Sequence, residues 1–499
     1  MDNQVIRIFN MSKRAFLLEL FKEIADAIRS KTGDTRTYEI EELPDRIMDI
    51  STGATTPTQT KSVELVANGT ESVVPDAGYL LSKVDIKVNV PQDNSNNALI
   101  ETYSNGAIYQ SIKSIDLSNV DFSKVTSLKY LFGSLYKLES IKYPNLSNLI
   151  YSTESMFFYC KSLKSVDISF LQGSSNIKGM FQDCISLESI KFGKTFDLSQ
   201  IKTANDTQDV FYDCYALTQL DLSSWINTNS IQDMSRMFKS CIKLESLNIS
   251  SFDTSNVSTF RDMFSYCQKL TSLDLRHFDV SKVTDFGSMF YGCSSLTSLN
   301  LDGWDTSNVT NMDNIFYACT SLITLNVNHF NIGKCSRLYQ NFSACKKLES
   351  LDLSNWDTSN IVEMTWTFYG SDFLKTLNVS TWNTSKVTKM DNLFNQCNSL
   401  DNLDLSSWNT DNVTSMNNMF QRGNQDERNV TFGTNWASNE KLMSFDMSSW
   451  NLTHDSALDL LNKVAVRTNS PTLKFHSYTK PKLTADEIKI ATDKGWVVA

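Results

Sequence analysis

The chain repeats itself every 26 residues, and that period limits what it can fold into more than any other property. Phe238, Phe264, Phe290, Phe316, Phe342, Phe368, Phe394 and Phe420 stand one period apart, and Phe132, Phe157, Phe181 and Phe211 extend the ladder backwards at less regular spacing. A second ladder carries a large ring: Phe252, Phe278, Trp304, Phe330, Trp356, Trp382 and Trp408. A third is the triplet Leu296, Leu299, Leu301, which recurs as Leu270/Leu273/Leu275, Leu322/Leu325/Val327, Leu348/Leu351/Leu353 and Leu400/Leu403/Leu405. A period of this length means a stack of small units, none of which buries its apolar face alone.

Within one unit, Leu299-Asn300-Leu301 alternates apolar and polar, the pattern of a short half-buried strand. Trp304 is followed by the turn formers Asp305-Thr306-Ser307-Asn308. Val309, Met312, Phe316 and Cys319 then recur at helical spacing, and Thr310 and Asp313 stand where a capping box would sit. The expected fold is an α/β solenoid of about thirteen coils, a parallel sheet plus short helical segments. Strands ~4.8 Å apart would give a rod or arc of ~60 Å.

The Leu-x-x-Leu-x-Leu core resembles leucine-rich repeats. The fuller pattern, Trp304-Asp305-Thr306-Ser307-Asn308-Val309-Thr310, then Met312, Phe316, Cys319 and Ser321-Leu322, resembles the BspA-like family of bacterial surface repeats. This resemblance covers roughly residues 112–450 and implies an adhesion or interaction role. Early units depart from it, with Val120 in place of the ring and Pro144 in a strand region.

The flanks differ from the repeat. Leu17, Leu20, Phe21, Ile24, Ala27 and Ile28 share one face of a helix expected over 12–30, with Gly33 as its stop, and a second short helix is expected over 41–50. The run Ile24 to Gly33, followed by Leu43-Pro44-Asp45-Arg46-Ile47, resembles an N-terminal segment of phage tail proteins of Gram-positive hosts. Val73 to Tyr79 and Leu81 to Val88 resemble a small β motif of the same proteins. Polar stretches at 51–60 and 92–106 read as joints. The expected domains are a helical attachment segment (1–51), a linker with the β motif (52–91), a second linker leading into the solenoid (92–111), the solenoid (112–450) and a C-terminal α/β cap (451–499). In that cap, Ser456 to Val464 reads as a helix and Leu473-Lys474-Phe475 as a strand. Thr484-Ala485-Asp486-Glu487 reads as a capping box before a helix that Gly495 ends.

Charge and composition narrow the functions. A net charge of −10 argues against a nucleic-acid binder, which needs a basic face. No stretch approaches the ~18 apolar residues of a membrane span. The best early apolar run, Ala15-Phe16-Leu17-Leu18, is cut short by Glu19, Lys22 and Glu23, so a signal peptide is not expected.

No catalytic, cofactor or metal site is expected. His277 and His329 occupy one repeat position two coils apart, ~10 Å, too far for one metal ion to bridge. They read as exposed turn residues. Nine of the ten cysteines follow a ladder Phe by three residues, which makes them a buried column of reduced thiols; Cys335 is off-register and is expected to be more exposed. The ring ladder reads as core rather than as sugar platforms.

The candidate ligand surface is the outward strand position: Asp274, Asn300, Asn326, Asp352, Asn378 and Asp404. The competing reading is a solvated, hydrogen-bonded polar ladder. Arg428 and Trp436 join the candidates because Trp408 and Trp450 are 42 residues apart, which places 16 extra residues, near 421–440, in one coil.

The resulting expectation is a non-enzymatic phage tail or baseplate adhesin. Its N-terminal region would attach to tail proteins, and its solenoid would face a host cell-surface glycan or protein. A bacterial cell-surface adhesin of the BspA-like family is the alternative. A glycan-cleaving tail protein is the third reading, and it lacks a catalytic constellation. A homo-oligomer stays open, since no residue specifies one.

Overall fold

The computed structural model describes residues 58–66, 80–89, 113–117, 127–143, 152–421 and 426–499. The helices expected over 12–30 and 41–50, the tail-like run 24–47, the whole 92–106 joint, Val120, Pro144 and the 73–79 motif lie outside them. The chain divides into two compact units, Met1–Phe196 and Asp197–Ala499. Counted over both, it makes about fourteen turns of parallel β-solenoid with little helix, against the thirteen or so expected.

In the first unit, Thr58–Val66 pairs in parallel with Leu80–Asn89. The first of these strands begins inside the segment read as a linker through Thr60. Ser114–Asp116 pairs with Ser140–Lys142, and Ser165–Asp167 with Ser189–Lys191, again in parallel.

In the second unit, Gln219–Asp221 pairs with Ser246–Asn248 and Ser298–Leu299 with Thr324–Leu325. A five-stranded sheet follows: Ser350–Asp352, Thr376–Asn378, Asn402–Asp404, Glu427–Thr431 and Asn451–Leu452. Its register sets Ser350 on Thr376, Leu351 on Leu377 and Asp352 on Asn378. The period-2 alternation of a strand buries each central leucine and exposes the polar residue on either side.

Phenylalanine fills the core, as the ladder predicts. In the first unit Phe132, Phe157 and Phe181 stack at 5.4 and 5.2 Å. In the second, successive rings from Phe211 to Phe420 lie 5.6–5.8 Å apart with planes within 23° of parallel. The ring ladder is core too. Trp304, Trp356, Trp382 and Trp408 are buried, and each indole Nε1–H donates to a carbonyl of the previous coil, at Leu275, Val327, Leu353 and Val379.

The helical segments are the main correction. Residues such as 260–267 form consecutive tight turns. Phe264, Asp262 and Tyr266 give their N–H groups to Met289, Gly287 and Tyr291 of the next coil. Met263, Ser265 and Cys267 bond back three residues within their own coil. Two residues per coil, four apart, take left-handed backbone, for instance Asp262 and Tyr266 or Asn314 and Ala318. An α-helix would keep every such bond inside the coil. Turns of three to four residues bury the same spacing of side chains, so periodicity did not separate the two. There is accordingly no helix for Thr310 and Asp313 to cap. Thr310 bonds the Thr284 carbonyl of the previous coil, and Asp313 lies 3.4 Å from Arg337.

The 16 extra residues are also not a surface loop. Glu427–Thr431 pairs with Asn402–Asp404, Asn402 facing Asn429. Phe432, Trp436, Ala437 and Leu442 behind it are buried, so the segment builds a further coil. The repeat-like strand Ser444–Met447 is thereby shifted into a separate three-stranded sheet with Thr472–Phe475 and Val497–Val498. Helices α1 (His454–Lys463) and α2 (Ala485–Asp493) belong to this terminal region, α2 with the capping box of Thr484 and Glu487. Gly495 closes it at φ +91°, where an added Cβ would meet the Arg467 carbonyl at 2.0 Å.

Candidate binding surface

The outward strand positions are where the sequence places them. Asp274, Asn300, Asn326, Asp352, Asn378 and Asp404 are all exposed. Most of them hold the backbone at the strand end. The Oδ1 atoms of Asn300, Asp352 and Asp404 accept the N–H two residues on, from Asp302, Ser354 and Ser406, at 2.9–3.1 Å. Asx closure of this kind explains why the position alternates between Asn and Asp but keeps a short carbonyl. Asn326 instead donates to Asp302, and Asn328 to Asp352, linking neighbouring coils. Asp274 carries the strongest charge interaction of the row: Arg276 grips it at 3.0 and 2.7 Å and holds its carboxyl far below the ordinary range. Over Ser350–Asp352 to Glu427–Thr431 this face forms a shallow open groove of about 600 Å³ lined by Asp352, Asn378, Asp404 and Asn429.

Arg428 and Trp436 are corrected. Both are fully buried. Arg428 donates from Nη1 to the carbonyls of Cys397 and Leu400 and from Nη2 to that of Asn398. Trp436 packs on Phe432 and Phe445 at 5.1 and 5.9 Å. Neither can meet a ligand, because the extra residues became core.

His277 and His329 are exposed, and each ring Nε2 lies 3.1 Å from a carbonyl of the previous coil, at Ile249 and Leu301. Among the described residues no group of three or more His, Cys, Asp or Glu could hold a metal ion. Within each unit the ladder cysteines form a column of buried thiols. Cys267, Cys293 and Cys319 donate through Sγ to the carbonyls of Phe238, Phe264 and Phe290. Ser371 takes the same place and donates to Phe342, so the coil asks for a small donor there rather than for sulfur. Cys335, expected to be more exposed, is buried, and burial pushes its thiol up to about 12. None of these groups is poised as a nucleophile.

Sequence reasoning missed a second surface, on the turns. Residues beside the ladder phenylalanines carry half-exposed rings. In the second unit, Tyr266, Tyr291 and Tyr317 lie in a row at 5.0 and 4.5 Å. In the first unit, Phe158 meets Tyr130 and Tyr159 edge-on, at 6.4 and 4.4 Å, and Tyr136 meets Tyr159 at 6.2 Å. Tyr130 is 39% exposed. The available signal was a second aromatic directly after the ladder residue, as in Phe157-Phe158-Tyr159 and Phe290-Tyr291.

The sequence matches the family model described as "Mycoplasma protein of unknown function, DUF285" at 175–296, 205–330, 294–375 and 336–451, more than half of the chain. The model "BspA type Leucine rich repeat region (6 copies)" matches 105–205. No curated protein matches. Solved structures similar to it include a leucine-rich repeat protein from Bacteroides ovatus, 17% identical, covering 69% of this chain and 87% of that one at a TM-score of 0.33. A leucine-rich repeat protein from Eubacterium ventriosum is 16% identical, with coverage of 67% and 88% and a TM-score of 0.32. The pneumococcal vaccine antigen PcpA is 12% identical, with coverage of 89% of each chain and a TM-score of 0.23.

Proposed function

The chain belongs to the DUF285 family, and from that premise we propose that it is a non-catalytic binding protein of the adhesin type, working at a bacterial cell surface. One observation carries the reading. The fold spends its buried polar groups on joining coils and leaves long, repeated, exposed faces, which is how solenoids build binding surfaces. Every coil offers similar polar groups, so no pair is set apart for hydrolysis. The BspA-type match over 105–205 supports the same reading.

The phage-tail reading rests on the N-terminal resemblance alone. Neither family model reaches residues 1–104, and nothing in the comparisons supports a tail origin. Antibodies against the solenoid separate the two. They are expected to label intact producer cells, with the epitope lost on brief protease treatment. Labelling confined to virions released from the same strain would overturn the cell-surface reading.

A further inference from the structure

Along the turn arm of the second unit, neighbouring coils are bridged through one backbone pair each. Asp233, Thr259, Asp285 and Asn311 form one bridged run, and Arg337, Glu363, Lys389 and Ser415 form another. No bridge joins Asn311 to Arg337. At the junction before this gap, Thr310 and Phe286 give their N–H groups to the carbonyls of Thr284 and Asn311. At the junction after it, Val362 and Leu338 give theirs to Ser336 and Glu363. The corresponding groups at the gap, the N–H of Ser336 and of Met312, make no such bond. The strands across the coil also part here: Thr324–Leu325 belongs to the sheet before it and Ser350–Asp352 to the sheet after it.

The core behind this gap turns polar. Met289 and Ile315 precede the ladder phenylalanine in the two coils before it. Asn341 and Thr367 take that place in the two coils after it, and all four are fully buried. Met289 and Ile315 each close a tight turn through their N–H on the carbonyl three residues back, and Asn341 and Thr367 do not. The Thr367 hydroxyl instead donates to the carbonyls of Leu338 and Met364, the acceptors those turns would use. Asn341 spends its Nδ2 on the Met312 carbonyl at 2.9 Å. Its buried Oδ1, and the hydroxyl of Thr365, are left without a partner among the described residues. A buried polar atom left unpaired loses its water without a protein bond to offset the loss. Asp313 adds a further cost. It faces Arg337 across the gap at 3.4 Å, and burial, with Glu363 and Asp285 nearby, raises its carboxyl despite that guanidinium.

We propose that the junction between coil segments 310–319 and 336–345 is a joint, where the turn arm opens locally while the coils before and after it stay folded. Three turn bonds still cross it, from the N–H groups of Asn314, Phe316 and Ala318 to the carbonyls of Tyr339, Asn341 and Ser343. Opening breaks these bonds, exposes Asn341 and Asp313 to water and so relieves the costs of the closed form. The joint also divides the repeated surface. A partner touching the coils on both sides would hold it closed, and a partner confined to one side would not.

The test is residue-resolved amide hydrogen exchange on the full chain at neutral pH. Ser288, Phe290 and Gly292 make the matched bonds one junction earlier, to Asp313, Ile315 and Tyr317. After correction for intrinsic rates, Asn314, Phe316 and Ala318 are expected to exchange at least about tenfold faster than that set. Asn341→Ile supplies the side chain that Ile315 carries and removes the unpaired Oδ1. It should close most of the difference and leave Ser288, Phe290 and Gly292 as slow as in the wild type, which also shows that the variant folds. Equal protection of the two sets in the wild type overturns the joint. A folded variant that keeps the full difference overturns it too. If the variant does not fold, the wild-type comparison decides alone.

Discussion

The guanidinium of Arg428 lies 4.4 Å from the ring centre of Trp450, buried with it in the coil built by the extra residues. Its Nη atoms bond three carbonyls at 2.6–3.1 Å. Arg467 repeats the device one layer on, bonding the Ala437 and Leu442 carbonyls beside Trp496. Each arginine serves as a planar clamp on carbonyls that the irregular coil leaves without a strand partner.

Arg428→Ala should therefore destabilise the second unit by about 3 kcal/mol, since it strands buried acceptors and opens a cavity. Arg428→Lys should recover only part of this, because a point charge cannot copy the planar fork. Urea denaturation measures both. A loss under about 0.5 kcal/mol for the alanine variant would contradict the clamp.

Phe316 and Asn300 separate core from surface. Phe316 is fully buried between Phe290 and Phe342, at 5.7 Å from each, so Phe316→Ala should cost about 3–5 kcal/mol. Asn300 is exposed but accepts the Asp302 N–H at 3.0 Å, so Asn300→Ala should cost about 0.5–1 kcal/mol and Asn300→Asp less. Equal losses for the two alanine variants in one denaturation series would refute the assignment of faces.

The thiol column should be chemically silent. Burial pushes Cys293, Cys345 and Cys397 up to about 12, and all ten cysteines are buried. Ellman's reagent at about pH 8 should find no fast-reacting thiol in the native protein and ten after denaturation. Cys319→Ser should be tolerated better than Cys319→Val, because the hydroxyl keeps the donation to Phe290 that Ser371 makes to Phe342. Rapid labelling of native Cys335 would contradict its burial.

A pH dependence should arise in the terminal region. His454 Nε2 lies 3.0 Å from Glu487 Oε1, and its Nδ1 lies 3.2 Å from Asp455. Contact with Asp455 first, then Glu487, raises the imidazole above its ordinary 6.5. A raised folded-state value means stabilisation that is complete below 6.5 and lost as pH rises through the folded value. Glu487 is held below its ordinary 4.5, first by the Thr484 N–H and hydroxyl and then by His454, so its share disappears on acidification. The melting difference between wild type and His454→Gln should be greatest near about pH 5.5 and vanish by about pH 8. A constant difference across that range would rule the pair out as its source.

The repeat made the architecture legible. Leu351 and Leu377 face each other in the register their 26-residue spacing implies, and Phe316 stacks where the ladder puts it. The form of the connecting segment was not legible. Val309, Met312 and Phe316 sit one to two turns apart whether the backbone is a helix or a run of tight turns. Only the direction of the N–H groups, half of them to the next coil, distinguishes the two. The surface residues were legible as exposed positions, and less so as sites, since Asn300 and Asp352 spend their carbonyls on their own turns.

By itself the sequence determined the period, the inward ladders and the stacking of coils, because each needs only the alternation of apolar and polar residues along the chain. The tertiary structure decided the rest. It placed Arg428 and Trp436 in the core, since whether extra residues form a loop or a coil depends on which strand edge they pair with. It also gathered Tyr130, Tyr136, Phe158 and Tyr159 on one face, since residues from neighbouring coils meet only once the coils are stacked.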